Sequence, residues 1–254
     1  MRVLHLSPHP DDELIASPAV LIALMGAGHE VVNLAVSLGR PEDRVVRERE
    51  LRDACARVGL TLRICEPPYA LSLDDDRAAA QVRLTHELVG AGLAEGYELI
   101  IAPSPHDGHH GHELVGRASV AAAAALRVPL WMWGLWSELA LPTILHPFGQ
   151  PVLERILSAL DAHASQLART NYRVAVTGRA QATAALAPER VFGFGTGGVD
   201  APYAEALCEA VPAPGCLLLG APRIMDPGAP LAAPTTTDIS RFLHSPSLRD
   251  QLRG

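Results

Sequence analysis

Short apolar runs alternate with longer amphipathic stretches over the first half of the chain. Residues 3–7 are apolar and end at a polar turn, which predicts a strand followed by a loop. Ser17-Pro18 then open a helix, with serine as the N-cap and proline at the first helical position, and residues 26–28 close it with two glycines. The same reading predicts strands at 30–37, 60–65, 99–102 and 128–132, and helices at 42–58, 77–93 and 112–126. This alternation predicts a Rossmann-like, doubly wound α/β fold, a mostly parallel sheet with helices on both faces.

Beyond Ser137 the alternation weakens. Residues 152–167 and 181–186 read as helices and 191–194 as a short strand. Residues 212–234 are dense in proline and read as an extended tail over the domain or a neighbouring subunit, which allows a homo-oligomer. No repeat or linker divides the chain, so residues 1–254 are expected to form one domain. It comprises a Rossmann-like core over 1–136, a second part over 137–210 and a proline-rich tail over 211–254.

With 48% hydrophobic and 19% charged residues, the 254-residue chain is able to build a packed core. All 21 basic side chains are arginine. The absence of lysine excludes Schiff-base chemistry and a P-loop. A net charge of −7 without a basic run argues against nucleic acid. No apolar run spans a membrane; the longest, at 14–27, is interrupted by Ser17, Pro18 and Gly26. The first residues lack a signal-peptide pattern, and Cys55, Cys65, Cys208 and Cys216 have no CxxC spacing. Free thiols and a cytoplasmic location are expected.

Eleven histidines are present, four of them within 106–112. The loop after the first strand reads Pro8-His9-Pro10-Asp11-Asp12-Glu13, and the loop after the fourth reads His106-Asp107-Gly108-His109-His110-Gly111-His112. In a doubly wound sheet these loops meet at the carboxyl ends of strands one and four, where ligands bind. Two histidines and a carboxylate with an open position form a ligand set for catalytic zinc, and iron(II) is a further candidate. Such a metal acidifies a bound water and polarises a carbonyl. A spare carboxylate, Asp11 or Asp12, is available as the base, and a remaining histidine to support the oxyanion or protonate the leaving amine.

The hexapeptide at 8–13 after a first strand, with the later His-x-x-His loop, resembles the PIG-L/LmbE-like family of zinc-dependent N-acetylglucosaminyl deacetylases. The resemblance implies His9, Asp12 and His112 as metal ligands, Asp11 as general base and His109 as the second catalytic histidine, with His106 and His110 as rivals. Arg47-x-x-Glu50-Leu51 resembles the family's substrate-contacting helix. Ser165-Gln166 and then Arg179, Glu189 and Phe192 resemble later signatures. The second loop lacks the family's aspartate between the two histidines, and Asp107 is the candidate replacement. The implied activity is zinc-dependent removal of an N-acetyl group from a small-molecule conjugate of N-acetylglucosamine type. A metal-dependent hydratase acting on a small carboxylic acid, and a metal-binding protein without turnover, are the alternatives. Trp131 and Trp133 share a strand face and read as core; Trp136 and Glu138 stand beyond it as candidates for the substrate rim.

Overall fold

A computed structural model describes residues 1–71, 76–247 and 251. Its first half runs β1 (Arg2–Ser7), α1 (Asp12–Ile15), α2 (Pro18–Gly26), β2 (Glu30–Ser37), α3 (Arg44–Val58), β3 (Thr61–Tyr69), α4 (Arg77–Glu95), β4 (Leu99–Pro103), α5 (His110–Leu126) and β5 (Leu130–Trp133). The second half adds β6 (Ile144–Phe148), α6 (Gln150–Leu160), α7 (Ala164–Leu167), α8 (Tyr172–Phe192), β7 (Tyr203–Ala213), β8 (Cys216–Gly220), β9 (Arg223–Ile224), β10 (Pro234–Asp238) and α9 (Ser240–His244).

The sheet runs β10-β8-β7-β5-β4-β1-β2-β3, with β6 beside β7 and β9 off this path. From β3 to β5 it is parallel, and β7, β8 and β10 extend it antiparallel. The chain steps outward from β1 to β3 and returns to lay β4 on the other side of β1. The loops leaving β1 and β4 are therefore neighbours at the carboxyl ends of the parallel strands.

Period-2 alternation divides the strands between two cores. Val3, Leu99, Ile101, Trp131 and Trp133 face a core built with α2, α3 and α6. Leu4, Leu6, Ile100, Ala102, Leu130 and Met132 face a second with α4 and α5. Each fully buried Leu or Ile side chain here contributes about 1.5–3 kcal/mol. A Cβ on Gly116 would lie 2.7 Å from the Pro103 carbonyl oxygen, so this glycine lets α5 sit directly on the end of β4. That contact sets the position of the first turn of α5, which carries His110 and His112.

Several expectations for the second half need correction. The helix expected over 152–167 breaks between Leu160 and Ala164, where His163 turns inward to meet the buried Glu13 carboxylate. The helix expected at 181–186 is the middle of the 21-residue α8. No strand forms at 191–194. Ala184, Ala187 and Val191 form one apolar stripe at helical spacing and pack on Leu145 and Ala204, which carries the helix on to Phe192. The proline-rich segment is not a simple tail. Ala213 pairs with Cys216 around the turn at Pro214-Gly215, where Gly215 has φ +78°, and a β7–β8 hairpin extends the sheet. Residues 248–250 and 252–254 of the expected tail lie outside the described residues.

Ser17 occupies the N-cap position of α2, but its hydroxyl makes no capping bond. Glu205 on β7 does so instead, accepting from the N–H groups of Ala19 and Val20 at 2.9 Å each. A carboxylate from a strand distant in sequence was not legible as a cap. No helix among the described residues is long and apolar enough to cross a membrane.

Candidate metal centre and active site

The loop from β1 into α1 turns at Asp11, whose backbone lies in the left-handed region at φ 107°, ψ −26°. That conformation costs a non-glycine residue on the order of 1 kcal/mol and needs support from its surroundings. Glu13 supplies it by accepting the Asp11 N–H at 3.0 Å, and His163 Nε2 in turn lies 2.6 Å from the other Glu13 oxygen. Both Glu13 and His163 are fully buried. One residue on, Asp12 Oδ2 accepts the His9 N–H at 2.8 Å and lies 3.4 Å from His9 Nδ1. Its other oxygen lies 3.3 Å from His112 Nε2.

His109 is the N-cap of α5, and its Nδ1 accepts the Gly111 N–H at 3.3 Å. Gly111 leaves room for the His9 ring: a Cβ there would stand 3.0 Å from His9 Cε1 and 3.1 Å from Nε2, close enough to push the ring aside. His112 Nδ1 lies 2.7 Å from Asp107 Oδ2, while Asp107 Oδ1 accepts the N–H groups of Leu135 (2.5 Å) and Trp136 (3.1 Å). Asp107 thus orients the imidazole and ties the loop after β5 to it, the role expected from the sequence. Candidate ligand atoms of His9, His109 and His112 all lie within 4.8 Å of one another.

Imidazole nitrogens beside a carboxylate suit a zinc-like divalent ion. The local field agrees. Burial opposes charge on His112, yet the neighbouring Asp12 and Asp107 carboxylates raise its pKa to about 10. Asp12 is held well below the usual carboxylate range, its burial outweighed by His112 and His9. The pocket favours positive charge at this spot, and a bound cation takes the place of the proton as its ligands deprotonate. Burial, and then the Asp12 charge, push Asp11 up to about 8. Burial, and then His9 and His112, lower His109 to about 3, so it is neutral.

A cavity of about 160 Å³ collects His9, Asp11, Asp12, Arg47, His109 and His112, every site residue expected from the sequence. The Arg47 guanidinium donates to the Pro10 carbonyl at 2.6 Å and lies 3.6 Å from Asp11 Oδ2, so it braces the β1 loop as well as lining the cavity. His110 turns away, its Nε2 2.8 Å from the Leu71 carbonyl oxygen, and His106 Nε2 is 2.8 Å from that of Phe242. Ser165 donates its N–H and hydroxyl to Glu50 at 2.9 and 2.6 Å, and Gln166 reaches the cavity wall. Arg179 bonds the carbonyls of Gly134, Ile15 and Ala16. Glu189 and Phe192 are exposed at the end of α8. Trp131 and Trp133 are buried, and Trp136 stands at the cavity rim, 52% exposed. Glu138 is paired with Arg190 at 2.5 Å.

Sequence reasoning missed Ile15, Tyr172 and the Glu13–His163 pair. The two residues that follow the spacer Ala164, Ser165 and Gln166, were the only signal near His163. Beside the metal centre lies a second cavity of about 350 Å³, walled by the loop after β5, α8 and the start of β7, with Trp136 common to both.

No curated protein matches the sequence. Solved structures are similar in fold. A40926 pseudoaglycone deacetylase Dbv21 aligns at 18% identity over 81% of this chain and 95% of its own, with a TM-score of 0.64. N,N'-diacetylchitobiose deacetylase from Pyrococcus horikoshii aligns at 17% identity over 82% and 83%, with a TM-score of 0.59. GalB, the 4-carboxy-2-hydroxymuconate hydratase from Pseudomonas putida KT2440, aligns at 17% over 84% and 97%, also at 0.59. The family model described as PIG-L, GlcNAc-PI de-N-acetylase, matches residues 4–123, the segment that holds both loops of the metal centre, and these residues form a PIG-L family domain.

Proposed function

We propose that the protein is a metal-dependent N-deacetylase acting on a small N-acetylated sugar conjugate. The observation that carries this reading is one cavity shared by the clustered His9, His109 and His112, the Asp12 carboxylate beside two of them, and a second, buried carboxylate, Asp11, with raised basicity. His9, Asp12 and His112 would hold the metal, with zinc the ion whose preferences fit these donors best. When bound, such an ion polarises an amide carbonyl and lowers the pKa of water.

The remaining steps belong to the chain's own groups. Asp11, fixed by Arg47 and by its N–H bond to Glu13, takes a proton from the attacking water and delivers it towards the amine nitrogen. His109 accepts at Nδ1, so its ring proton sits on Nε2, where it donates to the carbonyl oxygen as negative charge develops. Arg47 and Gln166 frame the acetamide, and Trp136 and Tyr172 close the apolar side of the cavity.

The test couples metal content to amine release from N-acetylglucosamine conjugates by zinc-loaded protein. His112→Ala is expected to lose the metal. Asp11→Asn is expected to keep it and lose turnover by roughly 10²–10⁴-fold, and His109→Ala to keep it with reduced kcat. A fully active Asp11→Asn protein overturns the assignment of the base.

A further inference from the structure

We infer that the cavity beside the metal centre binds an apolar group, alkyl or aryl, carried by the amide substrate; this rests on the deacetylase reading. The metal cavity, about 160 Å³, is smaller than the roughly 300–1,000 Å³ typical of small-molecule sites, whereas its neighbour measures about 350 Å³. A substrate larger than its acetamide must extend beyond the first cavity. The second adjoins it: Trp136 lines both, and the successive residues Ile15 and Ala16 line one each.

The wall selects the chemistry. Leu135, Leu139, Phe148 and Leu186 present hydrocarbon, with the hydroxyls of Thr183 and of Ser137, which is bound to the His106 carbonyl, between them. The charged groups among them are already engaged. Arg179 is spent on the carbonyls of Gly134, Ile15 and Ala16, and Glu205 on the N–H groups of Ala19 and Val20. Arg190 is bound to Glu138 and to the Leu139 carbonyl. A polyhydroxyl ring entering here gives up its water for a wall whose charges are occupied, and desolvating hydroxyls without new partners is costly. An alkyl or aryl group loses nothing and buries apolar surface, including Trp136 (52% exposed) and Leu186 (61% exposed).

Two substrate series on zinc-loaded protein locate the apolar group. One lengthens the alkyl aglycone of an N-acetylglucosaminide from methyl to hexyl; the other lengthens the N-acyl chain on the methyl glycoside. kcat/KM is expected to rise in one series by up to roughly fourfold per buried methylene, which names the side of the amide that enters. Thr183→Trp, which fills the cavity from α8, and Leu186→Glu, which places a charge at its wall, are expected to abolish the rise and leave the methyl N-acetyl substrate unchanged. Calorimetric binding of the hexyl glycoside to wild type and Thr183→Trp gives a readout independent of turnover. Binding lost in the variant supports the cavity even if no amine is released, in which case only the deacetylase reading fails. Flat profiles in both series, or chain-length gains and binding that survive both variants, overturn the proposal.

Discussion

In the proposed reaction, chemistry and backbone depend together on Asp11. Its carboxyl faces the cavity and its backbone is left-handed, so its direction is set by what grips its N–H. That grip passes from Glu13 to His163, 150 positions further along the chain. Replacing His163 with Phe leaves the buried Glu13 carboxylate without its partner and frees Asp11 to shift; misplacing a reacting group by about 1 Å costs on the order of 100-fold in kcat. The expected result is a fall in kcat of that size with KM little changed, and partial recovery in His163→Gln, which restores a donor. A loss of thermal stability that leaves kcat untouched contradicts a positioning role. The carboxylates of the motif could be read from residue types and spacing, because a strand end followed by Asp-Asp is local information. His163 could not, because its partner is chosen by tertiary packing.

At the scale of elements, the parallel half was legible because most strands are short apolar runs and most helices end at glycine; β3 instead runs on through Pro67 and Pro68 to Tyr69. The antiparallel half was not. β7 mixes Glu205 and Glu209 with alanine, and its acidic side chains are buried on partners from other elements: Glu205 on the start of α2, Glu209 on Arg223 and the Trp131 indole. A buried, paired glutamate looks solvated in sequence. The second loop gives the sharpest prediction here. Gly111 lies in the first turn of α5, with a backbone open to any residue, so alanine improves helix propensity by up to about 1 kcal/mol. Its methyl nevertheless presses on the His9 ring. Gly111→Ala is expected to keep or raise Tm while weakening metal affinity roughly tenfold, read by competition with a chelator. Unchanged affinity contradicts the packing of His9 against this loop.

Over the whole molecule, the carboxyl ends of the central strands carry the candidate metal centre, and β7 ties the two halves of the chain together through Glu205. Burial raises that carboxyl to about 7, from an ordinary value near 4.5, so between these limits the folded chain holds a proton that the unfolded chain releases. Its contribution to stability is therefore largest below about pH 4.5 and declines as pH rises towards 7. Glu205→Gln is expected to flatten that decline in a denaturant titration across the interval; an unchanged slope would show that Glu205 is not its source. Proteins of similar fold include deacetylases and a hydratase, so the products decide the reaction. The most direct measurement is the yield of acetate and primary amine from an N-acetylglucosamine conjugate turned over by zinc-loaded protein. Both are expected in equal amounts, and Asp11→Asn is expected to form them roughly 10²–10⁴-fold more slowly. Absence of both products across N-acetylated sugar conjugates, together with addition of water to an unsaturated carboxylic acid, would contradict it.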